Sequence, residues 1–422
     1  MSADASAFYD VLETRPPELR ERHLMAALPT QVAHARAHAP AFAELLRDVS
    51  PAEVTSRAAL ARLPVTRKHE LIERQRATRA GGDPFGGFAT IGWHTRSGAL
   101  RVFASPGPIY EPEGRGPDYW RAARALYAAG FRAGDLVHNS FSYHLTPAGS
   151  LVETAAQALG CTVFAGGVGN TELQLQAAAD LQPQGYTGTP SFLKILLDKA
   201  AESGVALPTL RKALVSGEAF PVSLRDWLAE RGIAGYQCYA TADVGLVAYE
   251  TTARQGLVLD EHVIVEIVRP GTGDPVAEGE VGELVVTTLN PDYPLIRFGT
   301  GDLSAILPGH CPTGRTNARI RGWMGRADQT AKVRGMFVHP AQVADIARRH
   351  PEVTRARLVV SGEMANDRMT LQVEVAQRPE GLSARIAESI RDVTKLRGEV
   401  VLQAPGTLPN DGKVIEDARR YD

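Results

Sequence analysis

The sequence predicts an α/β fold in two domains: a large N-terminal domain with parallel sheets and helices, and a small C-terminal α+β domain. Between residues 136 and 215 short apolar runs alternate with amphipathic segments, which is typical of parallel strands covered by helices. From about 263 to 289 apolar runs rich in Val predict successive strands. After Asp328 the pattern becomes β-α-β-β-α-β, the order of a split βαβ domain. We therefore expect domains at 1–327 and 328–422.

Hydrophobic periodicity indicates the individual elements. Leu24, Leu28 and Val32 recur at helical spacing and predict helices over 17–47. In the middle of the chain we expect a helix over 150–159 and strands at Leu136-Val-His, Cys161-Thr-Val-Phe and Ala213-Leu-Val-Ser. In the C-terminal domain we expect strands at 331–334, 355–361, 369–376 and 399–403, a helix at 340–349 and a helix capped by Ser383 that runs to about 395.

Length, composition and charge limit the class of protein to which this chain can belong. The chain has 422 residues, 44% hydrophobic and 22% charged, which is enough for two or three domains around a large core. A net charge of -2 offers no basic footprint for nucleic acid. The cysteines are few and far apart, the N-terminus lacks a signal-peptide pattern, and no apolar run reaches the ~20 residues that cross a membrane. We expect a cytoplasmic protein without nucleic-acid or membrane partners, and a homodimer remains open.

Three short motifs follow one another in the last third of the chain. They are Pro294-Leu-Ile-Arg-Phe-Gly-Thr-Gly-Asp302, Gly325-Arg-Ala-Asp328 and Gly412-Lys413. A carboxylate after a Thr-Gly turn can accept hydrogen bonds from two vicinal hydroxyls, although an Asp in such a turn often bonds its own backbone. Alone, Asp328 would be a charged linker residue and Lys413 an exposed tail lysine. The ordered set carries more weight than any single member.

In this order the motifs resemble those of the adenylate-forming enzymes, and the phenylacetate–coenzyme A ligase branch matches best. The resemblance covers nearly the whole chain, from His38-Ala-Pro-Ala-Phe and Leu63-Pro-Val-Thr-Arg-Lys to the Gly-Thr-Leu-Pro run at 406–409. It implies an enzyme that uses ATP to join a carboxylic acid to AMP. The acyl group then passes to the thiol of coenzyme A.

The resemblance implies a role for each residue of these motifs. Asp302 holds the ribose, and Arg326 contacts the same nucleotide. Asp328 is the hinge about which the small domain turns between the two half-reactions. Lys413 stabilises the negative charge that builds when the carboxylate attacks the α-phosphate. The segment that faces coenzyme A in the second state contains Lys332, Arg334 and Gly335.

Two further motifs of the resemblance surround the base. The adenine loop matches three residues after an apolar strand: Ser216, Gly217 and Glu218. In the second motif, from Tyr236 to Asp243, the Tyr239 ring lies against adenine and Ala240 follows it. Asp243 stands where a carboxylate supports Mg²⁺, and Thr241 precedes the position of the hydroxyl that meets the α-phosphate. Without these neighbours, a Tyr in an apolar run would be a core residue.

The resemblance also places the pocket for the carboxylic acid near two loops. Its residues are Phe141, Tyr143, His144 and Thr189. Two aromatic rings suit an aryl or arylacetic acid. Taken alone, each of these segments is an ordinary loop between a strand and a helix.

The phosphate loop departs from the family pattern. The family reads roughly Ser-Ser-Gly-Thr-Thr-Gly-Lys-Pro, and the aligned segment here is Ser105-Pro-Gly-Pro-Ile-Tyr-Glu-Pro112. Ser105 and Gly107 remain, while Pro106 and Pro108 remove backbone N–H donors. Glu111 puts an anion where a cation meets pyrophosphate, although a phosphate cradle needs N–H groups and positive charge. We therefore expect that the grip on the triphosphate is rebuilt or lost.

No metal site built by protein side chains alone is expected. Relatives often carry a structural zinc bound by Cys and His, partly in a Cys-Pro-Cys-Gly-Arg turn. Here that turn is Cys311-Pro-Thr-Gly-Arg315, and residues 250–263 contain no Cys. One thiolate is too few for a closed tetrahedral site.

These observations predict an AMP-forming acyl- or aryl–coenzyme A ligase that uses ATP, Mg²⁺ and coenzyme A and acts on a small carboxylic acid. The altered phosphate loop favours an alternative on the same fold, a non-catalytic protein that binds AMP or acyl-coenzyme A. Retention of Lys413 speaks against that alternative. A further alternative is an adenylating enzyme that loads a carrier protein in trans, because the chain itself holds no carrier domain.

Overall fold

The computed structural model describes residues 7–96, 98–268, 273–327, 330–363, 366–409 and 414–419. The chain divides into two compact units, Met1–Gly325 and Arg326–Asp422. The division falls inside the motif that ends in Asp328. Among the described residues, no helix combines the length and the apolar character needed to cross a lipid bilayer.

Helices of the first unit lie where the periodicity predicts them. The predicted helical segment 17–47 is interrupted at Ala39, because Pro40 lacks an N–H and disfavours helical geometry in the residue before it. The helices are α1 (Pro17–His38), α2 (Pro40–Leu45), α3 (Arg57–Leu60), α4 (Lys68–Thr78), α5 (Ala123–Ala128), α6 (Ala148–Ala158), α7 (Thr171–Leu181), α8 (Pro190–Glu202) and α9 (Val222–Glu230).

Strands of the first unit alternate with these helices and then follow one another directly. They are β1 (Thr66–Arg67), β2 (Arg101–Ser105), β3 (Ile109–Glu113), β4 (Leu136–Asn139), β5 (Thr162–Ala165), β6 (Gly185–Gly188), β7 (Lys212–Val215), β8 (Ala234–Thr241), β9 (Gly245–Glu250), β10 (Leu257–Leu259), β11 (Val263–Val268), β12 (Gly282–Thr288), β13 (Phe298–Ser304), β14 (Ile306–Leu307) and β15 (Arg319–Ile320).

The larger sheet has the strand order β14-β15-β10-β9-β8-β7-β6-β4-β5. Strands β5, β4, β6, β7 and β8 are parallel, and the pairing becomes antiparallel from β8 to β9 onward. The strand–helix alternation therefore correctly predicts the parallel half. Because β7 and β8 are parallel neighbours, the loops after their carboxyl ends lie at one edge of the sheet.

The smaller sheet has the order β1-β13-β12-β11. β1 runs parallel to β13, with Thr66 opposite Phe298, whereas the other pairs are antiparallel. The buried residues of β11 and β12 lie in the first core of this unit, with α1 and α2 against them. A second core fills the space between α5, α6 and the larger sheet. The two-stranded hairpin of β2 and β3 is separate from both sheets.

Arg297, directly before β13, is almost completely buried at 2% exposure. Its Nε donates to Glu266 of β11 at 3.0 Å, and its Nη1 donates to the carbonyls of Ala61 and Leu63. Its own carbonyl accepts the N–H of Thr66 at 2.9 Å. The arginine thereby fixes the segment leading into β1 against β13.

The second unit contains the helices and strands expected of a small α+β domain. Its helices are α10 (Pro340–Arg348) and α11 (Leu382–Thr394), and its strands are β16 (Ala331–Val333), β17 (Met336–Val338), β18 (Val353–Ser361), β19 (Arg368–Val375), β20 (Glu399–Gln403) and β21 (Ile415–Asp417). The predicted succession β-α-β-β-α-β is present, with β17 and β21 in addition.

Two details of the second unit differ from the expectation. The strand after the domain junction pairs with β17 in a hairpin, and β21 takes the fourth place in the sheet β20-β19-β18-β21. Helix α11 is capped by Gly381 at φ +76° instead of Ser383. The helix starts earlier because Leu382 is fully buried and packs in one core with Ile386 and Ile390.

Candidate active site

The carboxylate of Asp302 joins the two sheets of the first unit. It lies on β13, and its Oδ2 accepts a hydrogen bond from the Tyr239 hydroxyl of β8 at 2.7 Å. Its Oδ1 accepts one from the Trp323 indole N–H at 3.1 Å. Each carboxylate oxygen has two lone pairs, so one carboxylate can accept several hydrogen bonds at once. The structure thus brings Asp302 and Tyr239 together.

Sequence reasoning does not single out Trp323. Its side chain is 40% exposed, and it lies just before the motif that contains Arg326. An exposed Trp is unusual for a residue type that is mostly buried, but this exposure is visible only in the structure. The indole and the Tyr239 hydroxyl hold the Asp302 carboxylate from both sides, so its orientation is set before any ligand binds.

The loop after β7 is tied to β8. The Ser216 hydroxyl donates to the carbonyl of Cys238 at 2.8 Å. Gly217 has a φ of +84°, in the left-handed region that favours glycine, and Glu218 is exposed. Because Cys238 directly precedes Tyr239, this loop and the Tyr239 residue share one edge of the sheet. The predicted adenine loop and the predicted adenine ring contact therefore lie close together.

The turn between β8 and β9 holds the residues expected near the α-phosphate. The Thr241 Oγ1 accepts the N–H of Val244 at 3.2 Å, which closes the turn and leaves the hydroxyl proton able to donate. Ala240 is half-buried opposite Leu246 of β9. Asp243 follows at 2% exposure.

Four polar side chains meet beneath this turn, and we call them the Asp243 cluster: Lys68, Glu111, Asp243 and Tyr293. The Lys68 ammonium lies 2.9 Å from Asp243 Oδ2. Apart from this ion pair, the Asp243 oxygens have no hydrogen-bond partner among the described residues, and neither has the Tyr293 hydroxyl. Burial first, and then the charges of Glu111 and Asp243, raise the pKa of Tyr293 well above its usual range.

Glu111, which the alignment with the family places near pyrophosphate, lies inside the protein. Its side chain is fully buried, and its carboxyl oxygens accept hydrogen bonds from the Ser105 hydroxyl and backbone N–H. Burial first, and the nearby Asp243 second, raise the pKa of Glu111 well above its usual value. The carboxyl therefore favours its neutral form, in which burial costs less.

The segment aligned with the phosphate loop is the turn of the β2–β3 hairpin. Ser105 pairs with Ile109 across it. The carbonyls of Gly107 and Pro108 accept hydrogen bonds from Arg76 and Arg79 at 3.4 and 3.2 Å. This turn presents carbonyl oxygens, already met by guanidinium groups, where a phosphate cradle presents N–H groups.

The four predicted pocket residues have different surroundings. Tyr143 lines a groove of about 430 Å³ together with Arg101, Phe103, Tyr110 and Leu145 among others. Phe141 packs against the second core. Thr189 caps α8 by accepting the N–H of Phe192 at 3.3 Å, and His144 is exposed. Of the four, only Tyr143 lines this groove.

The predicted residues of the second unit occupy its first hairpin, between β16 and β17. Arg334 and Gly335 form the turn, both with positive φ, as in the tight turns that suit the twist of a hairpin. The Arg334 N–H donates to Asp367 at 3.0 Å. Arg326 and Lys332 both lie over the Phe337 ring, at 5.6 and 5.9 Å from its centre. Asp328 and Lys413 lie outside the described residues.

Hydrogen bonds hold the turn at Cys311 together. The Cys311 thiol is buried, 3.3 Å from the Thr251 hydroxyl and 3.1 Å from the Thr313 hydroxyl. Burial alone would raise the pKa of Cys311, but these hydrogen bonds and the nearby Arg315 lower it. In the described part of the chain, no three His, Cys, Asp or Glu side chains are grouped to bind a metal.

Comparison with known proteins identifies relatives that match most of the chain. A family model described as AMP-binding enzyme matches residues 143–290. Phenylacetate–coenzyme A ligase of Thermus thermophilus is 31% identical over 438 residues, which cover 94% of this chain and 95% of that protein. The enzyme of the same name from Aromatoleum evansii is 31% identical over 405 residues, covering 90% and 88%. The family resemblance seen in the motifs is confirmed.

A solved structure supports the fold. The structure of 2-hydroxyisobutyryl–coenzyme A ligase in complex with 2-HIB-AMP and CoA matches with a TM-score of 0.84 and covers 100% of this chain and 94% of that one. At 24% identity the match shows the fold alone. The predicted fold class, two domains of the adenylate-forming type, is confirmed.

The buried carboxyl of Glu111 should make stability depend on pH. A pKa raised in the folded state gives stability that is fully present below the unfolded pKa of about 4.3 and is lost as pH rises through the raised pKa. A glutamine at this position has no proton to lose. We expect Glu111→Gln to gain unfolding free energy relative to wild type as pH rises from 5 to 9, by up to about 1.4 kcal/mol per unit of pKa difference.

Urea unfolding at each pH measures this change. Glu230→Gln, on the exposed end of α9, is the matched control and should follow wild type throughout. Parallel pH curves for wild type and Glu111→Gln would show that the Glu111 carboxyl is ionised in the folded protein.

The hydrogen-bonded Cys311 should make zinc dispensable. Protein purified from zinc-supplemented medium is expected to hold far less than one zinc per chain, because one thiolate cannot form a closed site. Elemental analysis measures the metal, and the thermal midpoint with and without a chelator measures its contribution. One zinc per chain, with a lower midpoint after chelation, would contradict the assignment.

Proposed function

We propose that this chain, which belongs to the phenylacetate–coenzyme A ligase family, is an AMP-forming ligase that joins a carboxylic acid to coenzyme A. In the first half-reaction the acid's carboxylate attacks the α-phosphorus of ATP, which gives acyl-AMP and releases pyrophosphate. In the second, the thiol of coenzyme A attacks the acyl carbon and AMP leaves. The two atoms attacked are the α-phosphorus of ATP and the acyl carbon of acyl-AMP. Both lie at the α-phosphate, so one nucleotide site can serve both steps.

The observation that carries the proposal is the hydrogen-bonded pair of Tyr239 and Asp302. Their 2.7 Å hydrogen bond unites the strand expected to meet the base with the strand expected to meet the ribose. Ser216 adds the third part, because its hydroxyl anchors the predicted adenine loop on the residue before Tyr239. An ionised carboxylate that accepts from a diol is a charge-assisted contact, stronger than a neutral hydrogen bond.

Mg²⁺ is the metal that accompanies ATP in this family. Hard cations take oxygen ligands, and Asp243 offers a carboxylate that makes no hydrogen bond among the described residues and is ion-paired with Lys68. Asp243 would hold the ion and Thr241 would lie beside it. When bound, Mg²⁺ supplies positive charge to the phosphate oxygens.

The second unit is proposed to change partners between the two steps. Lys413 would stabilise the charge of the attacked phosphate, with Arg326 on the nucleotide. Asp328 would be the hinge, since hinges need a position that absorbs backbone rotation. The residues that would face coenzyme A are those of the β16–β17 hairpin: Lys332, Arg334 and Gly335.

The acid is proposed to be aryl or arylacetic, bound beside Tyr143. The groove that Tyr143 lines also contains Phe103 and Tyr110, which supports an aromatic substrate. Phe141, His144 and Thr189 do not line this groove. They are included in the proposed pocket because they lie in the loops that the family resemblance assigns to it. The three cysteines form no disulfide, as suits the cytoplasm, where we propose that the enzyme works.

The hairpin between β2 and β3 favours a second function. Its turn presents carbonyls to Arg76 and Arg79 in place of N–H groups to a triphosphate. A protein that binds AMP or acyl-AMP through the first unit, without adenylation, would fit this turn equally well.

Pyrophosphate release decides between the two functions. With ATP, Mg²⁺ and a panel of aryl, arylacetic and short aliphatic acids, we expect release that depends on the acid, followed by thioester on addition of coenzyme A. The released pyrophosphate is measured by a coupled colour assay and the thioester by mass spectrometry. AMP binding without release for any acid would favour the binding protein.

Lys413→Ala should separate the two half-reactions. Loss of one cation from the transition state is expected to slow acyl-AMP formation by about 10²–10³-fold. Transfer from preformed acyl-AMP to coenzyme A should remain within a few-fold of wild type. Lys199→Ala on α8 is the control and should leave both steps unchanged. Equal losses in both steps would contradict the role of Lys413.

A further inference from the structure

The side chain of Gln174 connects a buried histidine to a glycine-rich loop. Gln174 lies in α7 and is 3% exposed. Its Nε2 donates to the carbonyls of Gly167 and Gly169 at 2.8 and 2.6 Å. Its Oε1 lies 2.7 Å from Nε2 of His138 on β4. We call residues 166–170, which link β5 to α7, the glycine loop. The two ends of one amide thus join this loop to β4.

The two loop carbonyls fix the orientation of the Gln174 amide. A carbonyl can only accept a hydrogen bond, so the amide NH₂ group must face the loop and the amide oxygen must face the histidine. His138 therefore carries a proton on Nε2 and donates it. The histidine is 1% exposed, and burial lowers its pKa although the hydrogen bond to Gln174 acts in the opposite direction. The neutral imidazole is the form that such burial favours.

The contact between Gln174 and His138 requires a glycine at residue 166. A Cβ on Gly166 would lie 2.6 Å from Gln174 Oε1 and 2.9 Å from His138 Nε2. Any larger residue would therefore push the amide and the imidazole apart. The start of the glycine loop is packed directly onto the hydrogen bond that holds its remainder.

The glycine loop lies beside Tyr143, the groove residue next to which the acid is proposed to bind. A Cβ on Gly167 would be 4.0 Å from Tyr143 Cδ2, an ordinary van der Waals distance. The N–H groups of Gly166 and Gly167 donate to the carbonyl of Asn139 at 2.9 and 3.1 Å. The Asn139 side chain donates to the Tyr143 hydroxyl at 2.8 Å. One residue of β4 therefore holds both the loop and the tyrosine.

We infer that Gln174 is a positioning residue for the acid. Held by His138, it keeps the glycine loop beside the Tyr143 ring and thereby fixes the wall that an aryl group would contact. The inference rests on the proposed function in that the ligand is a carboxylic acid bound beside Tyr143. It requires only binding, so it is tested without turnover. The proposed nucleotide residues Tyr239 and Asp302 lie on other strands and should not respond.

Titrations of phenylacetate and AMP on Gln174→Leu test the inference. Leucine leaves the two loop carbonyls and the imidazole N–H unpaired in a buried place. We expect the dissociation constant for phenylacetate, measured by saturation-transfer NMR, to rise on the order of tenfold. The constant for AMP, measured by calorimetry, should stay within about twofold. In the turnover assay, KM for the acid should rise by a larger factor than kcat falls.

A matched control and a rescue accompany this variant. Gln176→Leu, at an exposed position of the same helix, should match wild type in both titrations. His138→Phe removes the donor and should also weaken phenylacetate, whereas His138→Gln keeps a donor and should recover most of the loss. Hydrogen exchange in the peptide that covers the glycine loop should rise in Gln174→Leu and His138→Phe, and stay at the wild-type level in Gln176→Leu.

Two results for Gln174→Leu would overturn the inference: equal weakening of phenylacetate and AMP, which indicates general stability, and unchanged phenylacetate binding. Should Gln174→Leu not fold, Gln174→Met is measured in its place. Wild-type protein that binds phenylacetate but releases no pyrophosphate from any acid refutes the ligase, and Gln174 is then judged by the same titrations. Wild-type protein that turns over aliphatic acids but binds no aryl acid supports the ligase and refutes the inference.

Discussion

The geometry of the candidate site depends on one buried guanidinium. β1 has only two residues and cannot hold its place by strand pairing alone. Arg297 holds it, because its side chain binds the carbonyls that precede β1 while it also pairs with Glu266 of β11. Breaking a buried ion pair from one side costs about 3–5 kcal/mol. The positions of Lys68 and Asp302, which leave these two paired strands side by side, follow from this one constraint.

The chain departs from the family pattern in the β2–β3 hairpin and in the turn at Cys311. In both places, hydrogen bonds between side chains stand where the family pattern has a ligand-binding group. In the hairpin, the region expected to bind triphosphate holds a protonation-prone Glu111 bonded to Ser105. In the turn at Cys311, two threonine hydroxyls take the positions around the thiol. Neutral hydrogen-bonded groups can be buried at less cost than charges or an incomplete metal site. Both departures are therefore compatible with a stable fold. Their consequence is for the binding of triphosphate at the hairpin and of zinc at the turn.

Sequence reasoning was strongest where a motif and a strand coincide. Tyr239 lies in β8 and Asp302 in β13, and the family resemblance assigns both to one nucleotide, so their meeting could be expected. The orientation of Glu111 was missed because the motif alignment outweighed the strand period: Ile109, Glu111 and Glu113 alternate along β3 and share its buried face. The contacts of Lys68 with Asp243 and of Trp323 with Asp302 could not be predicted, since each pair lies apart in sequence and meets through the folded sheets. In the second unit, burial of Leu382 outweighed the capping preference of Ser383.

The predicted residues are divided between two compact units. Most residues proposed to bind the nucleotide belong to the first unit, and the lysine proposed to speed adenylation belongs to the second. The groups proposed for the base and the ribose (Ser216, Tyr239 and Asp302) belong to the first unit, whereas Arg326, which is also proposed to contact the nucleotide, belongs to the second. Lys413 belongs to the second and would act only in the transition state, where an interaction raises the rate without tightening the ground state. A change in the β2–β3 hairpin of the first unit would then alter which nucleotide binds. The lysine proposed to stabilise the transition state, Lys413, would be unchanged in the second unit. Evolution of such a chain toward a binding protein would need change in one unit only, and the presence of both sets of residues favours the enzyme.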